Sequence, residues 1–131
     1  MHTSPEQHYD ADVAIIGYGP SGVTAANALA SRGRSVIAVE RDMDIYPRAR
    51  AVTVNDWTMR IFQDLGLDEN MLKVLDPQRS LRWVKYDGTE LMRVTLNPSK
   101  LGTPEAIRTY NVYQPALEPI LRDGGDRYPE L

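Results

Sequence analysis

Three glycines and one glutamate have the types and the spacing of a dinucleotide-binding site. Gly17, Gly19 and Gly22 form the pattern Gly-x-Gly-x-x-Gly, and Glu40 follows the third glycine by 18 residues. In such a pattern the first glycine permits a tight turn, the second lets the backbone approach a pyrophosphate, and the third lets a helix pack closely on a strand. A carboxylate about 20 residues later accepts hydrogen bonds from ribose hydroxyls. Because it would also repel a 2′-phosphate, the pattern favours FAD or NAD over NADP.

The segments around these residues are those that must position such a site. Apolar runs and a small-residue helical pattern predict a strand over 10–17, a helix over 21–32 and a second strand over 35–40, paired in parallel. The free N–H groups at the start of the helix would face the phosphates, so Pro20 and Ser21 are expected in the same site. The alternative is a structural βαβ unit without a ligand. That alternative leaves three glycines unexplained, each of which costs backbone entropy.

The rest of the chain predicts further helices and one β-hairpin. The predicted elements after the second strand are a charged loop over 41–51, an amphipathic helix over 54–66 whose apolar face holds Val54, Trp57, Ile61, Phe62 and Leu65, a short helix over 67–75 and a hairpin over 80–95 that turns at Asp87-Gly88. They are followed by a loop over 97–105, a short strand over 109–113, a helix that opens at Gln114 and is stopped by Gly124-Gly125, and an unstructured end over 126–131. Trp57 and Trp83 are interpreted as packing residues.

Composition bounds the class of protein. The chain has 131 residues, 15 Lys and Arg against 18 Asp and Glu, and a net charge of −3, which argues against a nucleic-acid surface. No run approaches the roughly 18 apolar residues that span a membrane. There is no cysteine, and the only histidines, His2 and His8, lie in a polar leader, so neither a metal site nor thiol catalysis is expected. An α/β fold in the cytoplasm is the simplest expectation.

Three segments together resemble a known family. They are the glycine turn with Glu40, the Arg50-Ala51-Val52-Thr53-Val54 stretch that runs into a helix, and the segment from Gln114 to Leu121. In order and spacing they resemble the N-terminal part of the FAD-dependent aromatic hydroxylases, which are flavoprotein monooxygenases related to para-hydroxybenzoate hydroxylase. The Tyr46-Pro47-Arg48 stretch looks most like the 3-(3-hydroxyphenyl)propionate hydroxylase branch. The resemblance covers nearly all of residues 12–121.

The resemblance implies a reaction and a set of cofactor contacts. It implies FAD, with NADH or NADPH as co-substrate, and hydroxylation of a phenolic aromatic compound by O₂. Carried over residue by residue, it implies that the three glycines hold the pyrophosphate and Glu40 the adenosine ribose, with Arg41 beside it. It further places Arg50 against the FAD phosphates and Gln114 near the ribityl chain. The alternatives are solvated loop charges for Arg41, Arg48 and Arg50, and a helix-start residue without a ligand for Gln114; no catalytic residue is identified.

Motifs that the family carries further along its longer chains are not found. Asp87-Gly88 and Gly125-Asp126 are superficially similar to two of them but are interpreted as turns. We expect a flexible arm over 1–9. Because the later motifs are missing, we expect residues 10–131 to form the first part of a Rossmann-like, glutathione-reductase-like FAD domain with an added hairpin. This part is expected to be inactive on its own. Without further strands, the parallel pair would expose apolar side chains and favour aggregation or a homo-oligomer. Two alternatives stay open: another FAD- or NAD-dependent oxidoreductase with the same βαβ start, and a non-catalytic, truncated dinucleotide-binding module.

Overall fold

The computed structural model describes residues 9–48, 50–95, 109–129 and 131. The predicted loop over 97–105 and all but the last residue of the predicted arm over 1–9 lie outside them. In chain order the elements are β1 (Val13–Ile16), α1 (Pro20–Ala30), β2 (Val36–Val39), β3 (Thr53–Asn55), α2 (Asp56–Asp64), α3 (Asp68–Leu72), β4 (Leu75–Pro77), β5 (Ser80–Val84), β6 (Glu90–Thr95), β7 (Thr109–Val112) and α4 (Gln114–Gly125). Within the described part of the chain, none of these helices combines the length and the apolar character that crossing a membrane requires.

The predicted βαβ unit is confirmed. β1 and β2 pair in parallel, with Val13 opposite Val36 and Ile16 opposite Val39, and α1 connects them. The sheet begins at a reciprocal pair, in which the Asp12 N–H donates to Ser35 Oγ at 2.9 Å and the Ser35 N–H donates to Asp12 Oδ2 at 3.0 Å. Because these hydrogen bonds to side chains replace a backbone ladder there, both strands begin later than predicted, at Val13 and Val36.

Several apolar side chains of the parallel pair are exposed, as predicted. Ile16 is 92% exposed, Val39 52% and Ile37 46%. Only Val36 of β2 is buried. Among the described residues, an exposed apolar surface therefore remains on β1 and β2. Its most exposed members, Ile16 and Val39, are the last residues of the two strands and lie close to the glycine turn.

A second, antiparallel sheet joins distant parts of the chain in the order β3-β7-β4. The strand over 109–113 is confirmed as β7, but β3 and β4 were not predicted. Val54, expected in a helix, pairs with Tyr110, and Leu75, expected at a helix end, pairs with Val112. Strands of three residues are too short to show a period of two, and their hydrogen-bond partner lies far away in the sequence.

The amphipathic helix is present as α2, but its buried face differs from the prediction. Asn55 caps it, since Oδ1 accepts from the Thr58 N–H at 3.0 Å. Phe62 and Leu65 are buried, whereas Trp57 is 70% exposed and Ile61 46%. Val54, which was expected on the apolar face of this helix, belongs to β3 instead. The packing role expected of Trp57 is wrong, because its side chain is exposed.

The predicted β-hairpin is confirmed as β5 and β6. Asp87-Gly88 forms its turn, with Gly88 at φ +85° and its N–H donating to the Lys85 carbonyl at 2.9 Å. Every residue of both strands is exposed. The packing role expected of Trp83 is therefore wrong, since its side chain is 45% exposed.

The core lies between α1, α4 and the antiparallel sheet, and its buried residues are Val23, Phe62, Leu65, Leu67, Met71, Leu75, Tyr110, Leu117 and Leu121. α4 contributes Leu117 and Leu121 to this core, and the partly buried Ile120 packs against it. α4 ends at Gly125, in agreement with the predicted stop at Gly124-Gly125, but both glycines are themselves helical and buried. They let α4 approach α1, since a Cβ on Gly124 would lie 3.0 Å from Oδ1 of the buried Asn27. The amide of Asn27 in turn donates to the Leu121 carbonyl at 2.9 Å.

The end of the chain is held in place, in contrast to the unstructured end that was predicted. The Arg127 guanidinium donates to the carbonyls of Gly124 and Leu65, both at 2.8 Å. The Tyr128 N–H donates to the Gly125 carbonyl at 2.9 Å. A turn therefore follows Gly125, as expected, but Gly125 itself is the last helical residue.

Candidate functional site

The glycine turn has the geometry that its sequence predicted. Gly17 has φ +100°, which favours glycine. A Cβ on Gly22 would collide with the Gly17 carbonyl oxygen and lie 3.4 Å from Ile15 Cγ2, so only glycine allows this contact between α1 and β1. A Cβ on Gly19 would meet no atom within 4 Å among the described residues. Gly19 therefore faces open space, where a ligand can approach the backbone.

The start of α1 presents an uncompensated positive end. Gly19 is the N-cap residue, no side chain caps the helix, Pro20 occupies the first turn, and that turn contains no acidic residue. The N–H groups of Ser21 and Gly22 lie in the first turn, where an α-helix supplies no acceptor. With the helix dipole, such N–H groups favour an anion such as a phosphate.

Glu40 lies against the glycine turn. Its Oε2 accepts from the Tyr18 N–H at 2.7 Å, and its Oε1 accepts from the N–H groups of Arg41 at 2.8 Å and Asp42 at 3.1 Å. These hydrogen bonds, the one from Tyr18 foremost, hold the pKa of Glu40 below its ordinary value. Because its pKa is lowered, Glu40 stays ionised. A carboxylate offers about four acceptor positions, so the three backbone hydrogen bonds leave one position for a ligand hydroxyl.

Tyr18 connects the glycine turn to α4. The Arg122 guanidinium donates to the Tyr18 carbonyl at 3.4 Å and lies 5.5 Å from the centre of the tyrosine ring. Burial raises the pKa of the Tyr18 phenol above its ordinary value; the charge of Asp126 adds to this effect and that of Arg122 opposes it. The phenol is therefore neutral at ordinary pH, and its role here is structural.

The arginines predicted for the site differ in their surroundings. The Arg41 side chain is 88% exposed and pairs with Asp42 at 3.3 Å. The Arg50 guanidinium stacks on the ring of Tyr46 at 4.1 Å from its centre. Arg48 is exposed. Arg41 and Arg50 are each connected to another predicted site residue, Arg41 to Glu40 and Arg50 to Gln114, and both connections run through the backbone N–H group rather than the guanidinium.

Gln114 is buried at the first position of α4 and holds the loop that contains Arg50. Its Oε1 accepts from the N–H groups of Arg50 and Ala51, both at 3.2 Å. Its Nε2 donates to Oε2 of Glu118 at 3.2 Å. The role of Gln114 within the protein is thus to fix the loop at residues 50–51, which lies beside the start of α1.

A cavity of about 220 Å³ joins these parts. Its lining is mostly apolar and consists of Pro20, Ser21, Thr24, Ala51, Val54, Thr58, Phe62, Val112, Gln114 and Leu117. The start of α1 and the amide of Gln114 therefore border one space. A larger cavity of about 410 Å³ lies between α3 and the second half of α4, with Lys73, Asp123 and Arg127 in its wall, and contains none of the predicted site residues.

The structure brings together most of the residues that the sequence singled out. The glycines, Pro20, Ser21 and Glu40 form one group, and Gln114 joins it through the cavity. The Arg41 side chain hydrogen-bonds to its neighbour Asp42. Sequence reasoning missed Glu118 and Arg122. Their spacing from Gln114, one and two helical turns along α4, was a signal that could have been used, since residues four apart share a helix face.

Comparison with known proteins finds a family model and relatives that match this sequence. Residues 10–129 match the family described as FAD binding domain. A probable NADH-specific resorcinol 4-hydroxylase from Rhodococcus jostii (strain RHA1) is 42% identical over 111 residues, which are 84% of this chain and 20% of that protein. A 3-(3-hydroxyphenyl)propionate/3-hydroxycinnamic acid hydroxylase from Burkholderia vietnamiensis (strain G4 / LMG 22486) is 33% identical over 130 residues, 99% of this chain and 20% of that protein.

Solved structures show the same fold. The flavin-dependent monooxygenase PieE, in complex with FAD and substrate, superposes with a TM-score of 0.72 at 28% identity, over 89% of this chain and 22% of that one. Aklavinone-11 hydroxylase, in a ternary complex with FAD and aklavinone, superposes with a TM-score of 0.76 at 24% identity, over 94% of this chain and 25% of that one. The chain thus spans about a fifth to a quarter of the length of these relatives.

Proposed function

The chain belongs to the family of FAD binding domains, and on that premise we propose that it forms the FAD-binding portion of an NADH- or NADPH-dependent flavoprotein monooxygenase that hydroxylates a phenolic compound. Residues 10–131 would then be the N-terminal part of a Rossmann-like, glutathione-reductase-like FAD domain. The observation that carries the proposal is the convergence of the open Gly19, the uncapped start of α1 and the ionised Glu40 on one turn.

These residues fit the adenosine diphosphate half of FAD. The N–H groups of Ser21 and Gly22 would bind the pyrophosphate, and Gly19 leaves room for its approach. The remaining acceptor position of Glu40 would take a ribose hydroxyl, and its negative charge would reject a 2′-phosphate. We include Arg41 and Arg50 as residues that would lie near the phosphates, although neither guanidinium contacts the glycine turn in the structure.

The flavin half distinguishes FAD from NAD. Both dinucleotides have the same adenosine diphosphate half, so the glycine turn and Glu40 favour neither. The amide of Gln114 and the loop at Arg50 and Ala51 border the cavity beside the start of α1. A polar group placed there suits the hydroxyl-rich ribityl chain of FAD, which supports FAD over NAD.

Bound FAD would supply the redox chemistry, by passing electrons from the nicotinamide to O₂. The residues of this chain would hold and orient it, and the substrate contacts would belong to the whole protein, of which relatives are about five times as long. The names of two relatives, a resorcinol hydroxylase and a hydroxyphenylpropionate hydroxylase, support a phenolic substrate. The first name also supports NADH as the electron donor.

The activity is tested with the purified whole protein of which residues 10–131 would be the N-terminal part, together with FAD, NADH or NADPH, and either resorcinol or 3-(3-hydroxyphenyl)propionate. We expect the phenol to stimulate NADH oxidation, with one hydroxylated product formed per NADH in the coupled reaction. Lys73→Gln, in the larger cavity, serves as a control that should behave like the wild type. Tight binding of NAD with no retention of FAD would instead indicate another oxidoreductase, and binding of neither would indicate a non-catalytic module.

A further inference from the structure

A buried carboxylate, that of Glu118, lies next to the candidate site. Glu118 is only 2% exposed and lies one helical turn after Gln114 and one before Arg122. Its Oε2 accepts from Gln114 Nε2 at 3.2 Å, and its Oε1 accepts from Arg122 Nη2 at 3.4 Å. Arg122 also donates to the Tyr18 carbonyl in the glycine turn. Glu118 therefore links Gln114, which borders the cavity, to Arg122, which contacts the glycine turn.

The orientation of the Gln114 amide follows from these neighbours. On one side it meets the backbone N–H groups of Arg50 and Ala51, which can only donate, so the amide oxygen must lie there. On the other side it meets the Glu118 carboxylate, which can only accept, so the amide nitrogen must lie there. The two contacts are satisfied together in one orientation of the amide and in no other.

From this geometry we propose that Glu118 is a positioning residue that holds Gln114 as a hydrogen-bond donor toward the cofactor. The proposal rests on the proposed function. An amide nitrogen has two hydrogens, and Glu118 takes one of them. The other serves an acceptor in the cavity that Gln114 lines, such as a hydroxyl or carbonyl oxygen of the flavin half of FAD.

A carboxylate is required at position 118 because it faces two donors. Glutamine has the same shape but only one acceptor oxygen, so in Glu118→Gln an N–H group must face either Arg122 or the Gln114 amide nitrogen. If Gln114 then turned over, its nitrogen would face the N–H groups of Arg50 and Ala51. Each arrangement leaves a buried donor without an acceptor, which costs stability.

Exchanging the two residues separates the positioning role from a merely structural one. In the double variant Gln114→Glu, Glu118→Gln, the carboxylate at 114 accepts from the loop N–H groups and from the new amide at 118, whose oxygen accepts from Arg122. The negative charge also lies at the first position of α4, where the helix dipole favours it. Every internal hydrogen bond is restored, but position 114 now offers the cavity acceptors and no donor.

The experiment measures the unfolding temperature of the wild type, the two single variants and the double variant, together with Kd for FAD and for ADP. We expect both single variants to unfold at lower temperature and the double variant to recover most of the loss. Its FAD affinity should stay on the order of tenfold below the wild type, as for one lost hydrogen bond in a buried site, while its ADP affinity is unchanged.

Three results would overturn the proposal: wild-type FAD affinity in the double variant, equal losses for FAD and ADP, or unfolding temperatures in which the two substitutions simply add. The equal loss would mean that the charge at 114 repels the phosphates, and additivity would mean that Glu118 does not hold Gln114. A wild type that binds no FAD would refute the proposed function, whereas the unfolding temperatures would still decide whether Glu118 orients Gln114.

Discussion

The backbone N–H of Tyr18 donates to Oε2 of Glu40 at 2.7 Å, so that the acid at the end of β2 is fixed against the turn that leaves β1. The two groups that a dinucleotide needs, a backbone cradle for phosphate and a carboxylate for ribose, are therefore joined before any ligand binds. A site preorganised in this way does not have to order these groups when the ligand arrives.

Replacing Glu40 by alanine is expected to lower FAD affinity by about tenfold or more, since it removes both the ribose acceptor and the acceptor of three backbone N–H groups. Quenching of flavin fluorescence on titration measures Kd. Asp44→Asn removes a nearby exposed negative charge and is the matched control, which should bind FAD as the wild type does. Equal affinities for Glu40→Ala and the wild type would exclude Glu40 from the site.

The hydrogen bonds to Glu40 also predict a dependence of stability on pH. Its pKa is lower in the folded protein than the roughly 4.3 of a free glutamate. Ionised Glu40 therefore contributes stability above that ordinary value, and the contribution is lost as the pH falls through the lower folded value. The stability difference between the wild type and Glu40→Gln, from urea unfolding, should be largest near pH 7 and shrink below pH ~4. A difference that is constant or grows toward acid would contradict this.

Gly22→Ala is expected to lower stability, whereas Gly19→Ala is expected to lower FAD affinity. A methyl group at position 22 meets the Gly17 carbonyl, and such overpacking costs about 1–3 kcal/mol or prevents folding. A methyl group at position 19 meets nothing among the described residues and the backbone there has φ −76°, so the fold should tolerate it. It would nevertheless stand where a pyrophosphate approaches. Urea unfolding and FAD titration together should show lost stability for the first variant and lost affinity for the second.

Gly124→Ala tests the close packing of α4 on α1. Alanine in a helix interior is ordinarily more stable than glycine by about 1 kcal/mol. Here its methyl group would lie 3.0 Å from both Asn27 Oδ1 and Leu67 Cδ1, inside the core. We therefore expect urea unfolding to show destabilisation, whereas Asp123→Ala, at the exposed neighbouring position, should be neutral or stabilising. A stabilised Gly124→Ala would mean that the two helices are farther apart than described.

How much of this could be predicted from the sequence depends on the range of the interaction. The requirements at Gly17, Gly22 and Glu40 come from a short βαβ unit, so spacing alone predicted the turn and its acid. β3 and β4 could not be predicted, because each becomes a strand only through pairing with β7, about 35 to 55 residues later. The glycine pair at the end of α4 follows the usual signal of a helix stop, yet Gly124 is retained inside the helix because Asn27 and Leu67 approach it.

The functional side chains divide in the same way. Gln114 was chosen by resemblance, but its contacts with Arg50 and Ala51 depend on a loop 63 or 64 residues earlier in the chain. Arg50 shows the converse, since its side chain stacks on Tyr46 while only its backbone takes part in the network. A sequence motif can therefore single out a residue without indicating which of its atoms form its contacts.

Binding of FAD at the glycine turn and Glu40 is tested by the visible absorption spectrum of the purified protein, taken after incubation with FAD and removal of the unbound excess. We expect flavin bands to remain with the wild type and with Lys73→Gln, and to be lost from Glu40→Ala and Gly19→Ala. A wild type that folds but retains no flavin, or retention that is equal in all four proteins, would contradict the assignment of the glycine turn and Glu40 as the FAD site.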